Sequence, residues 1–591
     1  MNIYESDILK LLSRTDSVNQ RTIAEKSGHS LGVVNKALNS LIENKYVGKG
    51  NKLTTKGRKF LMDNKPARAV ILAAGYGMRM VPINTETPKA FIKVHGECLI
   101  ERQIKQLHQA GITEIYVVVG FLKEQFEYLI DEYNVKLIVN TEYAVKGNLH
   151  SLKLAQDYLE NSYIIPSDIW CDYNPFDQYE LYSLYMVSNL IDDESDVRVN
   201  RKSELVRVGK DMSGNAMIGI TYLNRRDAAV VRTRLNEYAA KDEYNSSFWE
   251  ETLYNGDRMF ISSKVASSTD VVEVNSYEQL RELDSESDQL KTYVISVIKD
   301  VFNVDTSEIK DITILKKGMT NRSFMFTCKG NKYIMKVPET EIESPIDRKN
   351  EAATYEALKS FDFSENVIYI NPENGYKISE YIEPVKKTDL TSEKDILKCI
   401  NLLKKLHKAE IKTDYQFDFY KFIEFYEGLW KNGKSVYRDY EKTKAGVYSL
   451  KEYIDEHACS KVLSHIDTAA DNFIFSADSD GNEQVHLIDW EFAGMLDPYA
   501  DIALFCIYAL YDKDQIDHVI DIYTDNMCDE ETRIKIYCYI ATGGLIWSNW
   551  CEYMRSTGVE FGEYSIKQYR YAKEYYRYAM EYIEGKNNKD V

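Results

Sequence analysis

The sequence lacks the features that would mark several other classes of protein. Its nine cysteines are scattered singly from Cys98 to Cys551, with no C-x-x-C pair, so neither a zinc site nor a redox couple is indicated. No apolar run approaches the ~18 residues that a membrane span needs. The segment MNIYESDILKLL is acidic where a signal peptide would be basic. These absences predict reduced, mostly buried thiols, no membrane partner and a cytoplasmic location.

Positive charge is also scarce. The 74 Lys and Arg residues stand against 93 Asp and Glu, which gives a formal net charge of -19. Nucleic acid and acidic membranes repel a chain this acidic, although a local basic segment can differ. The 44% hydrophobic and 28% charged composition is typical of folded domains. Because 591 residues exceed what one hydrophobic core supports, we expect several domains, and the patterns below indicate three.

The first predicted domain, residues 1–65, is the basic exception, with 12 Lys and Arg against 6 Asp and Glu. RTIAEKSG and SLGVVNKALNSLIENKYV predict a short helix, a turn at Gly28 and a longer helix capped by Ser30. VGKGNKLTTKG is typical of the wing that follows. The segment resembles a winged helix-turn-helix, which implies DNA as a partner through Asn35 and Lys36. The alternative is a winged helix used for dimerisation or for domain contact.

Alternating strands and helices begin after Pro66 and define the second predicted domain, residues 66–287. RAVILAAG and EIYVVVG are short buried-strand runs, and IERQIKQLHQAG between them predicts a helix. The charged, turn-rich RELDSESDQ predicts a linker to the third domain, residues 288–591. That domain opens with the strands ITILKKG, SFMFTCK and KYIMKVP and continues with long helices.

A glycine-containing loop follows the first strand of the second domain, in ILAAGYGMRMVPINTETPKAF. Glycines there let backbone N–H groups approach a triphosphate, and two cations downstream neutralise charge on the transferred phosphorus. The string A-A-G-x-G-x-R followed by P-K resembles the nucleotidyltransferase family that activates sugar phosphates and phosphocholine. The resemblance implies that the nucleoside triphosphate is bound by Ala73, Gly75, Gly77, Arg79 and Lys89, of which Arg79 and Lys89 are catalytic.

The same resemblance predicts a metal site. Asp168, in YIIPSDIW, matches the family's magnesium-binding aspartate, and Mg²⁺ prefers such hard oxygen ligands. Where the family has a second aspartate, VEVNS places Asn275, an uncharged and weaker ligand. Asp257 or Asp270 could compensate for it.

The segment SSFWEET resembles one that holds the trimethylammonium group in phosphocholine cytidylyltransferases. An aromatic face beside a carboxylate suits a quaternary cation, so Trp249 and Glu250 are candidate substrate-binding residues. The alternative is a tryptophan of the hydrophobic core.

The third domain carries the elements of a kinase in order. KKGMTNRSF resembles the phosphate loop of choline kinases. YIMKVP then places Lys336 on a strand, and Glu351 follows on a helix as its ion-pair partner, which would hold the lysine on the α- and β-phosphates. YKISEYIE resembles the hinge that binds adenine through its backbone. The resemblance implies a set of nucleotide-binding residues: Gly318, Ser323, Glu351, Glu380 and Tyr381.

SHIDTAADNFIF followed by VHLIDWEFAG is the most specific string. Asp467 is placed to accept the proton of the attacking hydroxyl, and Asn472 and Asp489 are placed as magnesium ligands. The spacing H-x-D-x-x-x-x-N then I-D-W-E resembles the choline/aminoglycoside kinase family. Ile466 stands where choline kinases usually have Asn, and we interpret His465 as a structural histidine.

The helix GGLIWSNWCEYMR concerns the substrate of this kinase. Trp547 and Trp550, at i and i+3, project from one helical face, and Tyr511 lies where choline kinases place a third aromatic residue. Electron-rich faces recognise a trimethylammonium group, which donates no hydrogen bond. Glu491 and Asp501 would add negative field. The alternative is that both tryptophans belong to the core.

The sequence thus predicts a multidomain α/β and α+β chain: a winged helix-turn-helix, a Rossmann-like nucleotidyltransferase domain and a bilobal protein-kinase-like domain. The resemblance implies synthesis of CDP-choline from choline through phosphocholine, with ATP and CTP as co-substrates, Mg²⁺ as cofactor and a homo-oligomer as an option. One alternative is a sugar-phosphate nucleotidyltransferase fused to an ethanolamine or aminoglycoside kinase. Another is a DNA-binding regulator with metabolite-sensing domains.

Overall fold

The computed structural model describes residues 1–15, 18–75, 77, 80, 83, 87–193, 195–209, 212–315, 321–338, 343–430, 433–478, 480–557 and 559–587. Arg79 and Gly318, two predicted nucleotide-binding residues, lie outside the described residues. The chain divides into two compact units, residues 1–297 and 298–591. The domain boundaries at residues 65 and 287 stay predictions.

The first unit opens with a small helical domain that has its own hydrophobic core. Its helices are α1 (Ile3–Arg14), α2 (Gln20–Ser27), α3 (Leu31–Glu43) and α4 (Thr55–Asp63). Gly28 ends α2 with φ of 70°, a left-handed turn that glycine adopts without strain, and Ser30 caps α3. A bridge between Val47 and Leu53 forms the wing. Asn35 and Lys36 are exposed on α3, and their contact with DNA stays a prediction.

Helix α1 attaches this domain to the α/β domain that follows. The ammonium group of Lys10 lies 2.9 Å from Oε2 of Glu180 and 3.3 Å from Oδ2 of Asp177, and Arg14 also pairs with Asp177. The Glu180 side chain is fully buried and accepts a second hydrogen bond, 2.7 Å long, from the Tyr163 hydroxyl. Because a buried carboxylate needs a partner, this contact fixes α1 on the α/β domain.

A mixed sheet forms the centre of the α/β domain. Strand β1 (Arg68–Ala73) pairs in parallel with two neighbours, and its side chains are buried by helices on both faces. The other strands of the domain are β2 (Lys93–Val94), β3 (Glu97–Cys98), β4 (Glu114–Val119), β5 (Lys136–Val139), β6 (Ser162–Pro166), β7 (Ile169–Cys171), β8 (Leu184–Asp192), β9 (Val197–Val199), β10 (Glu204–Arg207), β11 (Gly214–Leu223), β12 (Tyr254–Asn255), β13 (Arg258–Ala266) and β14 (Val271–Glu273). The sheet order is β5-β4-β1-β6-β11-β8-β13-β10-β9, with β12 paired to β13.

The helices of this domain are α5 (Leu99–Gln109), α6 (Tyr128–Tyr133), α7 (Asn148–Leu154), α8 (Arg225–Tyr238) and α9 (Tyr277–Leu283); α10 (Tyr293–Phe302) follows. The predicted linker RELDSESDQ is folded rather than extended. Asp284 accepts a hydrogen bond from the His95 backbone, and Gln289 accepts one from the Lys93 backbone. Its polar side chains therefore cap the β2–β3 hairpin, a role that charge-rich composition does not reveal.

The second unit has a five-stranded sheet and a larger helical part. The strands of this unit are β15 (Lys310–Ile314), β16 (Asn321–Cys328), β17 (Asn331–Pro338), β18 (Val367–Ile370), β19 (Lys377–Glu380), β20 (Val462–Ser464), β21 (Phe473–Ala477), β22 (Glu483–Leu487) and β23 (Gly494–Leu496). The order of the five-stranded sheet is β15-β16-β17-β19-β18. The helices are α11 (Arg348–Leu358), α12 (Glu393–Lys408), α13 (Phe419–Gly428), α14 (Tyr440–Glu456), α15 (Tyr499–Tyr508), α16 (Lys513–Tyr523), α17 (Glu530–Ser556) and α18 (Glu563–Asn587).

Helix α17 is the buried centre of the helical part. A Cβ on Gly544 would lie 2.7 Å from the Gln568 carbonyl oxygen on α18, so glycine is needed for these helices to approach so closely. This approach sets the position of Trp547 one turn later. Among the described residues, no helix has both the length and the apolar character that crossing a bilayer requires.

Candidate active sites

The glycine loop of the first unit contacts a lysine. Gly77 has φ of 61°, and a Cβ built there would lie 3.0 Å from Cβ of Lys89. Gly77 is therefore needed for two reasons: it adopts the left-handed backbone conformation without strain, and it leaves room for the Lys89 side chain. Ala73 ends β1, and Gly75 follows in open space, as the predicted triphosphate contact requires.

Lys89 joins two of the predicted metal ligands. Its Nζ atom donates to Oδ2 of Asp168 at 2.5 Å and also to Oδ1 of Asn275. The pairing of β7 with β14 brings the two ligands together, and the Val274 backbone donates to the Asp168 carbonyl at 2.9 Å. Oδ1 of Asp168 is buried and accepts no hydrogen bond from the described residues. These oxygens fit a hard cation such as Mg²⁺.

The two aspartates considered as substitutes for Asn275 have other contacts. The Asp257 carbonyl accepts from the Arg207 backbone, and the Asp270 carboxylate accepts from the Thr269 hydroxyl. Among the described residues, the side chain that accepts from Lys89 together with Asp168 is that of Asn275.

A buried carboxyl group lies in the same domain. Glu250 accepts from the Tyr185 hydroxyl at 3.3 Å, and its Oε2 atom is buried with no hydrogen-bond partner among the described residues. Burial, together with the nearby Glu273, raises the pKa of Glu250 to about 7. The Trp249 ring is 1% exposed and lies in the hydrophobic core, 6.5 Å from the Tyr185 ring. Of the two predicted residues, Glu250 keeps an oxygen without a hydrogen-bond partner among the described residues, whereas Trp249 is packed in the core.

The second unit gathers charged groups around Lys336 on β17. Its Nζ atom lies 3.2 Å from Glu351, 2.5 Å from Asp489 and 2.7 Å from Glu491. Arg348 bridges Glu351 and Glu491 at 2.8 and 3.1 Å. Burial alone would lower the pKa of Lys336, but these carboxylates outweigh it and raise that pKa well above its ordinary value. The predicted lysine–glutamate pair is present, and Glu491, predicted to bind substrate, belongs to this network.

Three carboxylates of this network can also hold a metal ion. One oxygen from each of Glu351, Asp489 and Glu491 lies within 4.8 Å of the others. Carboxylate oxygens are the ligands that Mg²⁺ prefers.

Asp467 follows β20 and lies beside its predicted neighbour Asn472, which ends a short helix over Ala470–Asn472. The Asn472 amide donates to Oδ2 of Asp467 at 2.9 Å and to its carbonyl at 2.8 Å. Burial, then the charge of Asp489, raises the pKa of Asp467 to about 7. A carboxylate with such a pKa is suited to accept a proton near neutral pH.

Asp501 positions the loop that carries Asp467. It accepts hydrogen bonds from the backbone of His465 at 2.9 Å and of Ile466 at 2.8 Å, and His407 contacts it at 3.0 Å. Ile466 has φ of 73°, a strained value for a β-branched residue. Burial lowers the pKa of His465, which fits the structural role we predicted for it. Asp501 therefore acts on the backbone of the loop.

The remaining nucleotide-binding predictions lie on the sheet. Ser323 on β16 is paired in register with Lys336. Glu380 ends β19, and its backbone N–H donates to the Asn366 carbonyl at 2.9 Å. The Tyr381 backbone N–H donates to the Lys332 carbonyl at 3.1 Å.

Aromatic rings lie next to Asp467. The Trp547 ring is 5.7 Å from Trp550, 5.4 Å from Tyr508 and 6.1 Å from Phe492. The Tyr508 hydroxyl is buried and has no hydrogen-bond partner among the described residues. Burial, then the nearby charge of Asp467, raises the pKa of Tyr508 well above its ordinary value, so the aromatic group lies near the predicted base. Nε1 of Trp547 is buried and without a hydrogen-bond partner among the described residues.

Tyr511, predicted as the third ring, lies elsewhere. Its hydroxyl donates to the Leu390 carbonyl at 2.5 Å, and its ring is 6.3 Å from Phe505. Tyr508, three residues earlier and the last residue of α15, contacts Trp547 instead. Sequence reasoning also missed Phe492, which directly follows Glu491 and could have been found as the next residue of the I-D-W-E string.

Comparison with known families matches the three domains in order. A winged helix-turn-helix DNA-binding family matches residues 1–47, a MobA-like NTP transferase domain matches residues 69–170, and the choline/ethanolamine kinase family matches residues 312–543.

Individual proteins resemble parts of the chain. A choline-phosphate cytidylyltransferase of Streptococcus pneumoniae is 30% identical over 229 residues, which are 37% of this chain and 96% of that protein. A 2-aminoethylphosphonate cytidylyltransferase of Lancefieldella rimae is 33% identical over 224 residues, which are 36% of this chain and 91% of that protein. The chain belongs to the cytidylyltransferase family, fused to a choline/ethanolamine kinase domain.

A solved choline kinase structure, LicA from Streptococcus pneumoniae, is 25% identical to the fusion protein with a TM-score of 0.41, and the match covers 49% of this chain and 100% of that one. The predicted fold class of the fusion is confirmed: winged helix, Rossmann-like nucleotidyltransferase domain and kinase-like domain. The families of its domains support an enzyme with both nucleotidyltransferase and kinase activity.

Proposed function

We propose that this enzyme makes CDP-choline in two steps: the kinase domain transfers the γ-phosphoryl group of ATP to choline, and the transferase domain joins phosphocholine to CMP from CTP. The observation that carries the choline assignment is the group of aromatic rings beside Asp467. A trimethylammonium group donates no hydrogen bond, and aromatic faces attract it through their quadrupoles. Trp547, Trp550, Tyr508 and Phe492 supply such faces at centroid spacings of 5.4 to 6.1 Å.

In the kinase step, Asp467 takes the hydroxyl proton of choline as the oxygen attacks the γ-phosphorus of ATP, the bond from that phosphorus to the β,γ-bridging oxygen breaks, and ADP leaves. Asn472 holds the orientation of that carboxylate through its amide hydrogen bond. Lys336, held by Glu351, contacts the phosphates. Asn472, Asp489 and Glu491 are the residues that would hold Mg²⁺, which supplies charge neutralisation on the phosphates.

In the transferase step, the phosphate oxygen of phosphocholine attacks the α-phosphorus of CTP, and pyrophosphate leaves. Lys89 neutralises negative charge that develops on that phosphorus. Asp168 and Asn275 would hold Mg²⁺ through the oxygens that now meet Lys89. Glu250, with its free buried oxygen, and Glu273 beside it supply negative field for the cationic end of the acceptor.

The test is phosphorus NMR of the purified protein with ATP, CTP, Mg²⁺ and one candidate alcohol at a time. We expect phosphocholine to appear first and CDP-choline after it. Supplied 2-aminoethylphosphonate, the acceptor named for the Lancefieldella rimae relative, separates acceptor classes at the transferase site. Faster cytidylyl transfer to this phosphonate than to phosphocholine would contradict the transferase assignment, and faster phosphorylation of ethanolamine than of choline would contradict the kinase assignment.

A further inference from the structure

Behind the kinase site, three buried polar side chains form a cluster to which no role has been given. The Tyr355 hydroxyl donates to Oε1 of Glu365 at 2.6 Å, and Nζ of Lys377 donates to the same oxygen at 2.7 Å and also to the Tyr355 hydroxyl. Each of the three residues is less than 9% exposed. Polar groups this deeply buried are costly unless they are fully paired, and a paired set is rigid.

The cluster holds the backbone of the loop that carries Asp489. The Asp489 N–H donates to Oε1 of Glu365 at 3.4 Å, and the Trp490 N–H donates to the Tyr355 hydroxyl at 3.3 Å. Next to these contacts, the Leu487 N–H donates to the Phe363 carbonyl at 2.8 Å. Three hydrogen bonds thus join the segment 363–365 and α11 to the end of β22 and the loop after it.

Asp489 needs such anchoring because its backbone is strained. Its φ is 68°, in the left-handed region, where a residue other than glycine costs free energy unless its surroundings impose the conformation. In that conformation the Asp489 carboxylate lies 2.5 Å from Lys336. A relaxed backbone would turn the carboxylate away from Lys336 and Glu491.

We propose that Tyr355, Glu365 and Lys377 are positioning residues that keep Asp489 in its left-handed conformation, and thereby keep its carboxylate aimed at the metal and phosphates of ATP. This rests on the proposed kinase function. None of the three is placed among the groups that contact substrate, so they act through neighbouring residues, first of all through the backbone of Asp489 and Trp490.

The charge state of the cluster agrees with this role. Burial raises the pKa of Glu365, but Lys377 and the Tyr355 hydroxyl outweigh it and leave that pKa lowered, so Glu365 is an ionised acceptor. Burial raises the pKa of Glu351, but the nearby charges of Lys336 and then Lys377 outweigh it and leave that pKa lowered. One buried lysine therefore supports both the loop and the ion pair.

The experiment compares Tyr355→Phe and Glu365→Gln with Tyr369→Phe, a tyrosine of β18 that lines the same cavity of about 470 Å³ as Tyr355. The Mg²⁺ concentration for half-maximal phosphorylation, kcat and the KM for the alcohol are measured in the full-length protein. Loss of a residue that orients a metal ligand typically costs about 10- to 100-fold in metal affinity or activity. For Tyr355→Phe and Glu365→Gln we expect the Mg²⁺ concentration for half-maximal phosphorylation to rise about tenfold or more, with an unchanged KM for the alcohol. Tyr369→Phe should have the same Mg²⁺ requirement as the parent protein.

Unchanged Mg²⁺ dependence in both Tyr355→Phe and Glu365→Gln would overturn the proposal. So would an equal loss in Tyr369→Phe, a parallel rise in the KM for the alcohol, or loss of the folded state in both variants, because each indicates a general structural role. A second measurement separates the positioning role from the proposed function: calorimetric binding of Mn²⁺-ATP to the full-length protein. It is made in a Lys89→Ala background, which is expected to disable the transferase site. A parent that phosphorylates no amino alcohol defeats the proposed function alone, and weaker Mn²⁺-ATP binding by Tyr355→Phe still supports the positioning role.

Discussion

Replacing Trp547 tests whether the aromatic group recognises a quaternary ammonium. Leucine at this position keeps an apolar side chain but removes the indole face that meets Tyr508, Phe492 and Trp550. A desolvated cation–π contact contributes about 2 kcal/mol. Since the Trp547 side chain is only 7% exposed, we use that upper value.

The expected effect is selective. About 2 kcal/mol corresponds to roughly a 30-fold loss in kcat/KM for choline. Ethanolamine should lose less, because its ammonium group can donate hydrogen bonds to carboxylates or water in place of the lost face. Trp547→Phe keeps an aromatic face and should recover most of the loss, which separates the π contribution from side-chain volume.

The assay is steady-state phosphorylation of choline and ethanolamine by parent, Trp547→Leu and Trp547→Phe, with thermal unfolding measured on each protein. Equal losses for both alcohols, or Trp547→Phe as poor as Trp547→Leu, would refute the reasoning. Either result would mean that Trp547 serves only to pack α17.

Three further predictions concern the other sites. Asp467→Asn should abolish phosphorylation and spare cytidylyl transfer to supplied phosphocholine, whereas Lys89→Met should abolish cytidylyl transfer and spare phosphorylation. Phosphorus NMR measures both activities in each variant. Loss of both activities in one folded variant would contradict the existence of two separate sites. Because the pKa of Glu250 is raised to about 7, its carboxyl is neutral below that pH, so the KM for a cationic acceptor should fall as pH rises through about 7 and Glu250→Gln should remove that step in the pH profile. Lys10→Met should lower stability by about 3–5 kcal/mol in denaturant unfolding, because it leaves the buried Glu180 charge without its cation, and adding Glu180→Gln should recover much of this loss.

Local sequence patterns were enough to predict the order of the domains, and several candidate catalytic residues that they indicated lie together in the structure. The glycine loop, Lys336 on its strand, and Asp467 with Asn472 five residues later are short-range arrangements, which the structure reproduces as hydrogen-bonded or packed groups. Spacing along the chain is informative in such cases because a strand end or a tight loop restricts where the next side chains can lie.

Contacts between distant residues could not be predicted in this way. Lys89 meets Asn275 across 186 residues, and Glu365 meets the Asp489 backbone across 124. Resemblance to choline kinases placed Tyr511 near the tryptophans, but in the structure Tyr508, at the end of α15, contacts Trp547 instead. A one-dimensional pattern does not specify which turn of a buried helix faces its neighbour.

The sequence by itself determined the fold of each domain and the chemistry that it supports, because hydrophobic periodicity and motif spacing are local properties of the chain. Only the tertiary structure decided how Asn275 meets Lys89, which tyrosine contacts Trp547, and what holds Asp489 in a strained conformation. Those outcomes depend on close packing and on the pairing of buried charges, and both are settled only when distant segments come together.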